Sequence, residues 1–108
     1  MPHYLVKFSM TPDTLAKLIE TQEDRRPAVS ALCKSAGGSL EGYWYSFGEA
    51  DGYALIQAPD NVSAASLAVA VAASGRFSKF ETTVLLTVEE ALQAMGKAKG
   101  LDYKPPGS

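Results

Sequence analysis

Four stretches of this chain alternate their side chains with period two. Helical patterns separate the first from the second and the third from the fourth. Few folds accept that order. The first strand is Tyr4-Leu5-Val6-Lys7-Phe8-Ser9, with Tyr4, Val6 and Phe8 on one face and Leu5 on the other. Thr11-Pro12-Asp13 then opens a helix, Thr11 as N-cap, Pro12 at the first helical position and Asp13 at the positive end of the dipole. Leu15, Leu18 and Ile19 are its expected buried stripe. Arg25-Arg26-Pro27 interrupts the pattern and starts a second helical piece, in which Val29, Leu32, Cys33 and Ala36 share one face, ended by Gly37-Gly38.

From Ser39 to Phe47 the chain alternates again, placing Leu40 and Trp44 on one face and Glu41, Tyr43, Tyr45 and Phe47 on the other. The turn residues 48–52 lead into Tyr53-Ala54-Leu55-Ile56-Gln57, an antiparallel hairpin. Asp60 or Asn61 caps the next helix, Val62 to about Ser74, which is apolar nearly all round and so is expected to be buried on more than one side. In the fourth strand, Phe77 to Leu86, the alternation sets Ser78, Phe80, Thr82, Val84 and Leu86 against Phe77, Lys79, Glu81, Thr83 and Leu85. Thr87-Val88-Glu89-Glu90 is a capping box for a last helix, striped by Val88, Ala91, Leu92 and Met95 and ended by Gly96 or Gly100.

The order predicts an α+β, ferredoxin-like βαββαβ domain over 1–98 with an extra C-terminal helix, followed by a flexible tail, 99–108. Right-handed crossovers put the helices on one face of a four-stranded antiparallel sheet and leave the other face bare. That face carries Leu5 and one aromatic side of the second strand. With 46% apolar residues in a chain of 108, more apolar surface is present than a small domain hides on its own, since ~60–70% burial is usual at this size. A homodimer with sheet stacked on sheet is the expected solution, with higher homo-oligomers open through the last helix.

A net charge of −2 leaves no basic field for a phosphate backbone, so no nucleic-acid partner is expected. The longest apolar run, Ala64 to Ala73, is too short to span a bilayer, and no membrane partner is expected either. One cysteine, Cys33, excludes an internal disulfide and a multi-thiolate metal site, and with the absence of a signal-peptide pattern it points to a cytoplasmic setting. Cys33 itself reads as an inert packed thiol and His3, ahead of the first strand, as a frayed terminus. No metal or other cofactor is expected.

Asp51, at the end of the hairpin turn, is the first catalytic candidate as a general base, with Tyr43 beside it; the alternative for Asp51 is a turn-capping role. Arg25 and Arg26 suit a substrate carboxylate or phosphate at the helix opening, or form a solvated junction with Glu23 and Asp24. Lys7, Trp44, Tyr45 and Tyr53 complete the expected ligand-binding set, the aromatic members serving either a pocket or a dimer interface.

Several runs together resemble the GYD family of small bacterial and archaeal proteins, within the dimeric α/β-barrel superfamily. They are Tyr4-Leu5-Val6-Lys7-Phe8, an Arg at 25 or 26, Ala36-Gly37-Gly38, the run from Tyr43 to Asp51, Ala58-Pro59-Asp60 and Thr87-Val88-Glu89-Glu90. The likeness covers about residues 4 to 91. Of the naming Gly-Tyr-Asp signature, Gly48 and Asp51 are present, Ala50 stands at the tyrosine position, and Tyr53 lies two residues on. The resemblance implies a dimeric barrel, a group that holds cofactor-free monooxygenases, haem enzymes, lactone isomerases and effector-sensing domains. The combined expectation is a small oligomeric protein binding an aromatic or weakly anionic metabolite between sheet and helices. The alternatives are a cofactor-independent monooxygenase or isomerase, and a purely structural assembly module.

Overall fold

A computed structural model describes residues 1–107. Its elements run β1 (His3–Met10), α1 (Pro12–Thr21), α2 (Arg26–Ser35), β2 (Ser39–Tyr45), β3 (Gly52–Gln57), α3 (Asn61–Ala73), β4 (Phe77–Leu85) and α4 (Val88–Ala98). The strands form one antiparallel sheet in the order β2-β3-β1-β4, the ferredoxin-like arrangement. The expected caps form: Thr11 Oγ1 accepts from Thr14 N, Asp60 Oδ1 accepts from Ser63 N at 2.8 Å, and Thr87 and Glu90 exchange both bonds of the capping box.

Tyr4, Val6 and Phe8 of β1 are buried beside Ala54 and Ile56 of β3, under Cys33 of α2 and Ala64 and Leu67 of α3. The Tyr4 hydroxyl donates to Asn61 Oδ1 at 2.7 Å and so fastens the start of α3 to the central strand. His3 does not fray. It pairs with Gln57 and Leu85 in the sheet, and its ring hydrogen-bonds the Gln57 side chain at 3.0 Å.

Two irregularities in the ladders change which side chains share a face. A bulge between Leu40 and Gly42 puts Leu40 on the helix side with Tyr43 and Tyr45, and leaves Trp44 alone on the open side, opposite Tyr53. A second, between Ser9 and Met10, pairs Phe77 with Met10 and Phe80 with Phe8, so that both phenylalanines reach the helix side despite their odd spacing. Strict alternation groups Leu40 with Trp44 and sets Phe77 against Phe80; both groupings change because one extra residue in a ladder inverts everything beyond it.

The helices also depart from expectation. In α1, Leu15, Leu18 and Ile19 do not form a buried stripe: no residue of α1 is buried and Ile19 is 66% exposed. The helix stands off the sheet over a cavity instead of packing down on it. In α3 only Ala64 and Leu67 are buried, and the opposite side, including Val69 at 68% exposure, faces outward. Nothing in α4 is buried, and Leu92 on its apolar stripe is 60% exposed. The radius of gyration is accordingly 17.4 Å, against the roughly 13 Å of a compact chain this long. No helix among the described residues is long and apolar enough to cross a membrane.

Candidate functional site

Between the sheet and the helix layer lies a cavity of about 550 Å³. Its floor is aromatic. Tyr45 and Tyr43 of β2, Phe8 of β1, and Phe77 and Phe80 of β4 all line it, and consecutive ring centroids lie 5.5, 5.5, 5.6 and 5.9 Å apart. Three of the four contacts are edge-on, the arrangement that opposed ring quadrupoles favour. The irregularity between β1 and β4 completes this floor, since without it Phe77 and Phe80 divide between the two faces of the sheet. Val29 and Leu32 of α2 and Leu67 and Val71 of α3 supply aliphatic walls.

The α1 wall is different. Thr14, Lys17, Leu18 and Thr21, spaced as one helix face, look into the cavity, so three of the four lining residues are polar. Thr14 Oγ1 is engaged by Thr11 Oγ1 at 2.9 Å. Arg25, Glu23 and Arg76 complete the charged lining. On β4, Thr82 Oγ1 is buried with no hydrogen-bond partner.

Tyr43 sits where its phenol resists ionisation. Burial is the main cause of a pKa raised well above its ordinary value of about 10; the neighbouring Tyr45 adds to the effect and the Arg25 charge opposes it. Such a group is a proton donor or a hydrogen-bonding handle at neutral pH, and a poor base. Burial likewise pushes the Cys33 thiol up, and the sulfur is inert in the wall.

Of the residues expected from sequence, Tyr43, Tyr45 and Arg25 come together at the cavity. The others lie elsewhere. Arg26 forms a two-pronged pair with Asp24, Nε to Oδ1 at 3.0 Å and Nη2 to Oδ2 at 2.9 Å, which holds that carboxyl down at about 2. Lys7, Trp44 and Tyr53 lie on the open face of the sheet, where Lys7 pairs with Glu49 at 2.6 Å. The Glu49 carboxylate raises the Lys7 pKa and is itself lowered by it. Asp51 is absent from the cavity lining. Its Oδ2 accepts from Met10 N at 2.7 Å while its own N–H donates to Phe8 O at 2.9 Å, binding the end of β1 to the hairpin. Sequence reasoning missed Lys17, Arg76 and the Phe77–Phe80 part of the floor. An available signal was the helical spacing of Thr14, Lys17 and Thr21.

Among the described residues, no three His, Cys, Asp or Glu side chains gather as a metal-holding group. The comparison with family models finds one match, the GYD domain, over residues 4–95. The chain belongs to the GYD domain family. Among curated proteins no match is found. A similar solved structure is the 5-chloro-2-hydroxyhydroquinone dehydrochlorinase of Burkholderia phenoliruptrix AC1100, in complex with 2,5-dihydroxybenzoquinone. It aligns with a TM-score of 0.55 at 11% identity, over 81% of this chain and 96% of that one, which shows a shared fold.

Proposed function

We propose that this GYD domain protein binds a small aromatic or weakly anionic metabolite in the cavity between sheet and helices, and that it does so as a homodimer. The carrying observation is the floor of five contiguous rings under about 550 Å³ of space. Core packing normally leaves few voids larger than a water molecule, whereas pockets of roughly 300–1,000 Å³ with aromatic linings hold small organic ligands. A single buried cysteine without a partner fits a reducing compartment such as the cytoplasm.

The test is calorimetric titration with a panel of phenols and aromatic acids, repeated on Ala68→Trp, which places an indole into the cavity from α3. Binding by the parent and its loss in the variant is the expected result. Unchanged binding in the variant would refute the cavity as the site.

A second reading is supported by the protonated phenol of Tyr43 in the cavity and by the enzymatic name of the fold neighbour. In it the protein is a cofactor-independent oxygenase or isomerase, with Tyr43 donating a proton to the bound ring. Tyr43→Phe separates the two. Retained affinity with lost turnover supports an enzyme; no turnover of any bound panel member by the parent leaves a binding protein.

A further inference from the structure

Four charged residues line the cavity: Lys17, Glu23, Arg25 and Arg76. Three cations against one carboxylate make the lining net positive, although the whole chain carries −2. The cations are not equivalent. Arg25 is neutralised by Glu23 at 2.7 Å, whereas among the described residues no carboxylate lies within ion-pair distance of Lys17 or Arg76. Lys17 arrives on α1, the helix that turns Thr14, Lys17 and Thr21 inward and leaves Leu15 and Ile19 outside. Thr14 and Leu18 are the least exposed residues of that inner face, and Lys17 stands beside them at the solvent-exposed mouth of the cavity, where its ammonium is free to meet a polar group of an occupant. Arg76 arrives from the turn after α3, whose backbone carbonyl is held by Thr11 N at 3.1 Å, so both cations belong to the side of the cavity that α1 covers. Volume adds a further constraint, because an apolar cavity of roughly 150 Å³ already accommodates benzene and this one is several times larger.

We infer that the occupant is an amphipathic organic anion: an aromatic body larger than one ring lies on the floor of five rings, and its carboxylate or other oxyanion is held by Lys17 and Arg76. Arg25 is not its anchor. The inference rests on the cavity being the binding site, and it adds the charge of the ligand and the residues that read it. Both cations stand at the exposed rim of the cavity, where a guanidinium and an ammonium engage an oxyanion through charge-assisted hydrogen bonds that added salt weakens.

Two probes with one aromatic body test it: 8-anilinonaphthalene-1-sulfonate, an anion, and N-phenyl-1-naphthylamine, its neutral counterpart. Fluorescence titration of the parent protein is expected to show at least about a tenfold preference for the sulfonate, shrinking as salt is raised from ~20 to ~500 mM. In the double variant Lys17→Gln/Arg76→Gln the preference disappears while affinity for the neutral probe stays within about twofold, as expected when only a charge contact is removed. Arg25→Gln keeps the preference. Equal affinities in the parent, a preference that survives the double substitution, or one abolished by Arg25→Gln would each overturn the inference. Failure of the underlying reading looks different: the neutral probe then binds Ala68→Trp as well as it binds the parent. Circular dichroism melting of each variant confirms that the probes report a folded protein, since disordered compact states also bind such dyes.

Discussion

Asp51 holds the end of β1 to the β2–β3 hairpin through two short hydrogen bonds, one to its carboxylate from Met10 N and one from its own N–H to Phe8 O. Removing the carboxylate leaves the partly buried Met10 N–H without its acceptor. Asp51→Ala is therefore expected to lower stability by about 1–3 kcal/mol, and Asp51→Asn, whose amide oxygen still accepts, by less. Urea denaturation with an unchanged m-value measures both. Tyr43 makes a second prediction at this scale. Its folded pKa is raised and the unfolded value is the ordinary one near 10, so the folded state holds that proton more tightly. The associated stability is fully present below pH ~10 and is lost as pH rises through the folded pKa. The difference in 295 nm absorbance titration between the parent and Tyr43→Phe should assign to Tyr43 an ionisation well above its ordinary value, and Tyr43→Phe should flatten the decline of stability above pH 10. Ionisation of Tyr43 at its ordinary value near 10 would contradict the burial that defines the cavity wall.

At the scale of elements, the close approach of β1, β2 and β3 rests on Gly52. A Cβ there runs into the Phe8 ring and meets the Trp44 carbonyl oxygen at 2.7 Å, and the Phe8 ring is a central member of the cavity floor. Gly52→Ala is expected to cost about 1–3 kcal/mol by overpacking. It should also weaken binding of the aromatic probes, because Phe8 must yield; an unperturbed variant by both melting and titration would show that the floor is not rigid. The same region explains what could be read from residues alone. Strand and helix order, the three side-chain caps and the Tyr4-Val6-Phe8 core face follow from local patterns, and those elements form as the patterns require. The floor does not. Its β4 end depends on the irregularity between β1 and β4, and a single inserted residue in a ladder leaves no mark in side-chain periodicity while reversing the faces beyond it. Tyr43 and Tyr45 were legible as ring donors, and Arg25 as a cation at a helix opening. Lys17 was hidden because α1 has an ordinary amphipathic pattern, whose default reading buries Leu15, Leu18 and Ile19 together, whereas in the structure only Leu18 of these lines the cavity, between Thr14, Lys17 and Thr21.

For the whole molecule, two apolar surfaces remain uncovered in the single chain: the outer stripe of α4, and the open face of the sheet. On that face Leu5 pairs with Leu55 at the centre, Tyr53 and Trp44 stand opposite one another, and Leu85 flanks His3. Trp44 is 55% exposed there, and its indole lies over Gly42, which has no side chain to lift it. Lys7, paired with Glu49 at 2.6 Å, lies on the same face between Tyr53 and Glu81, so the patch is apolar on its β2–β3 side and around Leu5, and charged towards the Lys79–Glu81 part of β4. A second copy turned by a two-fold axis presents the same Leu5–Leu55 patch in return, which satisfies the self-complementarity of a symmetric dimer and places both cavities on the outside of the stacked sheets. Sedimentation should then give roughly twice the 11.5 kDa of one chain. Leu55→Lys places a charge at the centre of the patch and should yield monomers with unchanged helical circular dichroism. Trp44 is the only tryptophan, so its emission reports the face directly: blue-shifted in the dimer, red-shifted in Leu55→Lys and on dilution of the parent. A parent protein that sediments as a monomer at high concentration, with emission independent of dilution, would refute the stacked sheets and leave the cavity reading standing, because the cavity lies on the helix side of the sheet, away from the face that stacks.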